Sequence, residues 1–225
     1  MTDSMAWDWE KEESLSWLRP SEECYYLAEK WKTDGVSTIL DLGSGLGRHA
    51  IFFAKKGFEV TAMDLSDYGV EHLKRWAERE GCKIKIDTGD ILKLPYEDNT
   101  FDCVFSYHVI FHTDSTGIIQ IIDEIKRVLK PHGKIFLTFG SKETWAFKDA
   151  GYPKIDENTV IKTEEGPENG VPHFYVDTDD IFTLLKDFNI ERIRHTDDCY
   201  YDGQRRNSKH YYISGTVSKY WPPSF

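Results

Sequence analysis

The sequence predicts an α/β fold: a doubly wound, mostly parallel sheet with helices on both faces. Three observations carry this. Short apolar runs alternate with amphipathic stretches over 36–139, and such alternation puts parallel strands under helical cover on both sides. A glycine-rich turn follows the first apolar run and opens a helix. The chain closes on two strand-like segments, 189–197 and 210–217, with no helix between them, which is the mark of an antiparallel pair at one edge.

The elements follow in order. Residues 20–31 predict a helix with Cys24, Leu27, Ala28 and Trp31 on one face. Strands are predicted over 37–42, 58–63, 83–88, 101–106 and 134–139. With the terminal pair they make seven. The first strand leads into a helix over 46–56, stopped by Gly57 as the residue past its end. Val70, Leu73 and Ala77 recur at helical spacing, as do Ile118, Ile121, Ile122, Ile125, Val128 and Leu129, where Pro131 and Gly133 end the run. Segments 159–164 and 171–176 flank a polar turn and predict a hairpin. Thr178 is positioned to cap a helix carrying Ile181, Leu184, Leu185 and Phe188.

The length of 225 residues fits a single domain, 1–225. It divides into an N-terminal helical cover (1–35), a core (36–139), a lid insertion (140–176) and a C-terminal helix with a strand pair (177–225). Basic residues number 28 against 39 acidic ones, a net charge of −11, which argues against a nucleic-acid partner. No stretch approaches the roughly 18 apolar residues of a membrane span, and no basic-flanked apolar leader opens the chain. Cys24, Cys82, Cys103 and Cys199 are scattered without a Cys-x-x-Cys pair. Neither a zinc site nor a disulfide framework is expected, and the chain reads as cytoplasmic.

The chemistry concentrates in residues 38–50, Thr-Ile-Leu-Asp-Leu-Gly-Ser-Gly-Leu-Gly-Arg-His-Ala. Glycines at such a turn admit a ligand close to the backbone, and the helix start offers free N–H groups to an anion. The spacing is Gly-x-Gly-x-Gly. A dinucleotide fingerprint needs glycine at 48, where Arg48 stands, and no Gly-Lys-Ser/Thr follows to make a P-loop.

Asp41-Leu-Gly-Ser-Gly-Leu-Gly47 resembles the first motif of class I S-adenosylmethionine-dependent methyltransferases. Further matches come in order: Asp64 closing the second strand, Gly89-Asp90-Ile91 after the third, 101–107 at the fourth, and Arg127-Val-Leu-Lys-Pro131-His-Gly133-Lys before the fifth. His132 departs from the glycine common there. The resemblance implies a Rossmann-like fold, S-adenosylmethionine as cofactor and S-adenosylhomocysteine as product. It implies a cofactor site of Asp41, Gly43, Ser44, Gly45, Arg48, Asp64, Leu65, Asp90, Ile91, Ser106 and Tyr107. Leu65 and Ile91 would flank the adenine ring, Asp90 would meet its amino group, and Asp41 would order the loop or meet the cofactor's amino group. Ser106 and Tyr107 would offer backbone contacts.

Several of these residues have readings of their own. Asp64 lies 21 residues beyond Gly43, where a carboxylate can accept both ribose hydroxyls; its ordinary reading is an acid at a helix start, with Ser66 as the cap. Asp90 also reads as a turn residue. Arg48 either pairs with the cofactor's carboxylate or lies exposed on the first helical turn. His108 and His112 are four apart and share a face if their segment is helical. They read as a general base, as a structural pair or as metal ligands, and no third ligand is fixed, so no metal is expected. Trp17, with Trp7 and Trp9, would close over the pocket, and His173 and Tyr175 share one face of the hairpin and would line the acceptor site.

Methyl transfer to a small-molecule acceptor by in-line displacement is therefore expected. The alternatives are a non-catalytic cofactor-binding module, an aminopropyltransferase-like relative and a nicotinamide dehydrogenase. The segment 106–109 lacks the Asp/Asn-Pro-Pro-Tyr/Phe of amino-methylating DNA enzymes, and Cys103, inside a strand, lacks the Pro-Cys context of cytosine C5 enzymes.

Overall fold

The computed structural model describes residues 5–9, 15–201 and 205–218. Parts of the expected N-terminal cover (1–4 and 10–14) and the final 219–225 lie outside them. After a 3-10 turn at Leu15–Leu18, the order is α1 (Glu22–Thr33), β1 (Thr38–Leu42), α2 (Arg48–Lys55), β2 (Glu59–Asp64), α3 (Asp67–Glu80), β3 (Ile84–Thr88), β4 (Phe101–Ser106), α4 (Ser115–Val128), β5 (Leu129–Ser141), α5 (Trp145–Lys148), β6 (Thr159–Ile161), β7 (Pro172–Val176), α6 (Thr178–Leu184), β8 (Phe188–Tyr201) and β9 (Arg205–Val217).

The parallel strands run β3-β2-β1-β4-β5. Chain order reverses beside β1, and that is where an open α/β sheet leaves a crevice at its strand ends. Alternate residues of β1 serve opposite faces. Ile39 packs with Phe53, Leu73, Phe105 and Trp31 under α1, α2 and α3. Leu40 and Leu42 pack with Val104, Ile118, Ile121 and Ile125 under α4. Both faces are dry, as parallel strands require.

Beyond β5 the sheet forks. Residues Lys134 to Gly140 pair antiparallel with β9, and β8 completes that edge. The far end of β5 pairs in parallel with β7, Gly140 with Tyr175 and Ser141 with Val176, and β6 runs antiparallel to β7. The expected hairpin therefore exists but is not a separate lid. It joins the sheet and raises the strand number from the expected seven to nine among the described residues.

Two polar clusters fix the loops under the crevice. Asp102 accepts hydrogen bonds from the backbone N–H groups and hydroxyls of Ser37 and Thr38 through Oδ2, and from Lys130 through Oδ1. It ties the start of β1 to β4, and these donors hold its carboxyl below the usual range despite its partial burial. Arg127 donates to both oxygens of Glu124 at 2.7 and 2.8 Å and to the carbonyls of Tyr96 and Leu94. That fork anchors the segment leaving β3.

Other boundaries move. Asp177, not Thr178, caps α6: its side chain accepts the Asp180 N–H while Asp180 accepts the Asp177 N–H. The reciprocal box outweighs the lone hydroxyl. Helix α4 ends at Val128, and Pro131 and Gly133 lie within β5, near a register shift between Phe101 and Cys103. Helix α2 starts at Arg48 rather than 46, with Gly47 at its N-cap in the left-handed region.

Candidate active site

The turn after β1 is held by its neighbours. Gly43 and Ser44 both donate their N–H to the Met63 carbonyl, at 2.8 and 3.0 Å, which presses the turn against the end of β2. Gly43, Gly45 and Gly47 have φ of 73°, 53° and 96°, a region that disfavours side chains. Space forbids them as well: a Cβ on Gly43 would lie 2.3 Å from Val109 Cγ1, and one on Gly45 2.4 Å from Trp9 Cζ2.

Asp64 sits where the sequence placed it. Its Oδ2 accepts the Gly45 N–H at 2.7 Å and its Oδ1 the Ser66 N–H at 2.8 Å. Ser66 caps α3. The carboxylate thus orders the loop, yet each oxygen keeps acceptor capacity toward the cavity it lines.

That cavity measures about 580 Å³, within the range of small-molecule sites. Gly43, Ser44, Gly45, Leu65, Asp90 and Ile91 line one end of it. Asp90 also turns the chain, its Oδ1 accepting the Leu92 N–H at 2.9 Å. Asp41 and Ser106 do not line it. Asp41 is buried beneath the loop, and burial pushes its carboxyl up to about 7 although the Ala50 N–H bonds to it. Ser106 is wholly buried and spends its hydroxyl on the Leu42 carbonyl.

Unpartnered polar atoms gather at this end among the described residues: Ser44 Oγ and the indole nitrogens of Trp7 and Trp9 on cavity-lining residues, and Asp41 Oδ2 beneath the loop. Buried polar groups are normally hydrogen-bonded. A ligand carrying hydroxyls, an amino group and a carboxylate fits what is left open here, so the residues fit S-adenosylmethionine.

Arg48 is neither exposed nor free. Its Nη1 donates to the carbonyls of Ser16 and Arg19, and its guanidinium lies 4.9 Å from the Trp17 ring centre and 5.4 Å from that of Tyr107. It ties the tryptophan-bearing segment to the cavity wall. His49, which the sequence reading passed over, does similar work: buried, it faces the Ser21 N–H at 3.3 Å. Trp7, Trp9 and Trp17 all line the cavity and contact one another with ring centres 5.3–6.1 Å apart.

The opposite end is built from histidines. The segment 107–114 is a loop, not a helix, so His108 and His112 do not share a helical face; both nevertheless reach the cavity. His108 has φ of 58°, an uncommon conformation for a residue with a side chain. Its ring stacks between Tyr107 and His210, at 4.3 and 4.2 Å, and its Nε2 lies 3.3 Å from the Tyr212 hydroxyl. His112 lies 4.7 Å from His173 and stacks on Trp7 at 5.7 Å. Burial holds both well below the ordinary histidine range, in the neutral form.

His173 and Tyr175 line the cavity from β7. Among the wall residues that the sequence does not single out are His210 on β9, Lys162 and Glu168. Lys162 and Glu168 form an ion pair, and burial pushes His210 down to about 4. No local pattern marks them: Glu168 sits in the turn between β6 and β7, and His210 is carried in from β9.

Known proteins share this architecture. Residues 39–133 match the methyltransferase domain family. A sterol 24-C-methyltransferase of Gibberella zeae is 30% identical over 202 residues, covering 88% of this chain and 48% of that one. A glycine/sarcosine/dimethylglycine N-methyltransferase of Actinopolyspora halophila is 35% identical over 133 residues, 58% of this chain and 23% of its own length. The chain thus spans about half the length of these relatives or less. A solved S-adenosylmethionine-dependent methyltransferase of Methanosarcina mazei superposes with a TM-score of 0.69 at 21% identity, covering 81% of this chain and 92% of that one. The glycine turn and the acid closing β2 lie within the first of these matches: residues 39–133 form a methyltransferase domain of that family, on the fold of the solved methyltransferase.

Proposed function

We propose that this chain transfers a methyl group from S-adenosylmethionine to a small-molecule acceptor, working as one unit over 1–225. The observation that carries the reading is the turn at Gly43–Gly45, locked by Asp64 and opening onto the cavity. When bound, the cofactor supplies an electrophilic methyl group on a sulfonium, already a good leaving group. The protein's own task is then mainly positioning and exclusion of water. Asp64 has acceptor capacity for a ribose diol. Leu65 and Ile91 supply apolar contact for a nucleobase, with Asp90 beside them. The indoles of Trp7, Trp9 and Trp17 line this end together, and Arg48 holds Trp17 there.

Where the acceptor carries a proton at neutral pH, His108 is the proposed base. It is neutral, it lines the cavity, and Tyr212 steadies its Nε2. Its left-handed backbone fits a functional role, because such strain persists where the surroundings enforce it. His112 faces the hairpin instead. Trp17, His173 and Tyr175 border the acceptor. The net charge of −11 supports a small molecule over a nucleic acid. No helix among the described residues is long and apolar enough to cross a membrane. The free thiols Cys24, Cys82 and Cys103 support a cytoplasmic setting.

The test is calorimetry with S-adenosylhomocysteine, followed by methyl-labelled cofactor with sterol, amine and thiol acceptors. Stoichiometric binding and label transfer to one acceptor class are expected. Absence of binding, or stabilisation by NAD instead, would reject the reading.

A further inference from the structure

The sequence leaves His112 without partners for a metal; the structure gives it two. A ring nitrogen of His112, a carboxylate oxygen of Glu168 and a ring nitrogen of His173 lie within 4.8 Å of one another on the cavity wall. They come from the loop after β4, the turn between β6 and β7, and β7. Only the fold brings them together.

Hydrogen-bond accounting at His173 shows that something is missing. Its Nδ1 lies 3.0 Å from the Val171 carbonyl oxygen, and its Nε2 3.2 Å from Glu168 Oε1. Both partners only accept, whereas a neutral imidazole has a single N–H. If Nδ1 carries it, the Nε2 lone pair faces a carboxylate oxygen. In that tautomer a positive particle, a second proton or a cation, stands between them; with the proton on Nε2 instead, the bare Nδ1 faces the Val171 carbonyl.

The surroundings favour the cation. Histidines that bind metals typically donate their other N–H to a carbonyl or carboxylate, and ligating carboxylates are themselves hydrogen-bonded. Here the Val171 carbonyl serves His173, while Lys162 holds Glu168 through Oε2 and leaves Oε1 to the site. The 3.2 Å between His173 Nε2 and Glu168 Oε1 suits two ligands of one ion, since bonds of about 2.0–2.2 Å keep such atoms within about 4 Å of each other. His112, within 4.8 Å of both, would have to move by about 1 Å to reach ligand spacing.

We propose that His112, Glu168 and His173 form a divalent transition-metal site of the zinc type, with its open coordination position facing the cavity. Two imidazoles and one carboxylate suit zinc or ferrous iron better than magnesium or calcium. Where the proposed methyl transfer also holds, on which this clause rests, the ion faces the acceptor. It would select acceptors that coordinate through oxygen, nitrogen or sulfur and would acidify that atom.

The test uses the full chain, stripped with a chelator and titrated with Zn2+ against a chromophoric competitor, with Mg2+ as the contrast. One Zn2+ per chain is expected, with negligible Mg2+ uptake. His173→Ala and Glu168→Gln should each weaken Zn2+ binding by roughly 100-fold or more, at least as much as loss of a supporting group. His195→Ala, which lies outside the cavity lining, should leave it unchanged. S-adenosylhomocysteine affinity, measured in parallel, should survive in every variant. Loss of cofactor binding in the parent chain would therefore reject the methyl-transfer reading without touching the metal site. Equal Zn2+ affinity in parent and His112→Ala/His173→Ala chains would overturn the site. So would nitrogen NMR showing both ring protons on His173 near neutral pH with Zn2+ present.

Discussion

The two ends of the cavity are built on opposite plans. The glycine-loop end is local: Gly43, Gly45, Asp64 and Ser66 lie on two adjacent strands and the turns that leave them, locked by short backbone hydrogen bonds. The histidine end is assembled at long range from the loop after β4, the β6–β7 ribbon and β9. The first presents backbone to its ligand and tolerates almost no added atoms. The second presents imidazole side chains. The proposed cofactor and acceptor roles should then be separable by mutation.

The largest effect should come from adding atoms to the rigid end. Gly45→Val places a branched side chain at φ 53° against Trp9. It should weaken S-adenosylhomocysteine binding beyond about 100-fold by calorimetry, strain and steric block acting together. Binding within a few-fold of the parent would show that the ligand does not use the turn.

Next comes the anchor of the segment leaving β3. Arg127→Met removes a charged fork, leaves the Tyr96 and Leu94 carbonyls without this donor and leaves Glu124 with only the Leu94 N–H. Hydrogen bonds to charged groups contribute about 1.5–3 kcal/mol each, and this one is partly exposed. A loss of about 2–3 kcal/mol in denaturant unfolding is expected, with faster amide exchange over 89–100. Unchanged exchange there would mean that the loop is held by its apolar contacts alone.

Asp64→Ala should weaken S-adenosylhomocysteine binding by about 1–3 kcal/mol through lost charged hydrogen bonds. Stability should fall too, because the Gly45 and Ser66 N–H groups lose their acceptor. The comparison sharpens if His173→Ala, at the histidine end, leaves that affinity within a few-fold.

The smallest effect is a slope. Burial raises the Asp41 carboxyl from 3.8 to about 7. Between those values the folded chain holds a proton that the unfolded chain has lost, so stability falls as pH rises. The limit is about 1.4 kcal/mol per pH unit. Asp41→Asn should flatten the unfolding free energy of the ligand-free protein between roughly pH 4 and 7, where Asp64, also raised by burial, leaves a residual slope. An identical profile in the variant would mean that Asp41 is ionised throughout.

The same contrast explains what the sequence revealed. The glycine turn and Asp64 were legible because their geometry is set within a few residues, by φ and by a strand end. The two faces of β1 were legible from alternation. The hairpin's place was not, since its parallel junction to β5 rests on just two residue pairs, Gly140 with Tyr175 and Ser141 with Val176. Thr178 and Asp177 are both good caps, and only the returning bond from Asp180 selects between them. His112 was weighed against His108 because spacing was all there was to weigh. Glu168, 56 positions further along, carries no local sign of where the fold delivers it.

The fork in β5 has a consequence for traffic. Because the β6–β7 ribbon is stitched into the main sheet, that side of the chamber is masonry and not a hinged door. Entry and departure should then fall to the tryptophan side, where Arg48 clasps two carbonyls and two rings, so the rate at which product escapes should follow how readily that clasp lets go.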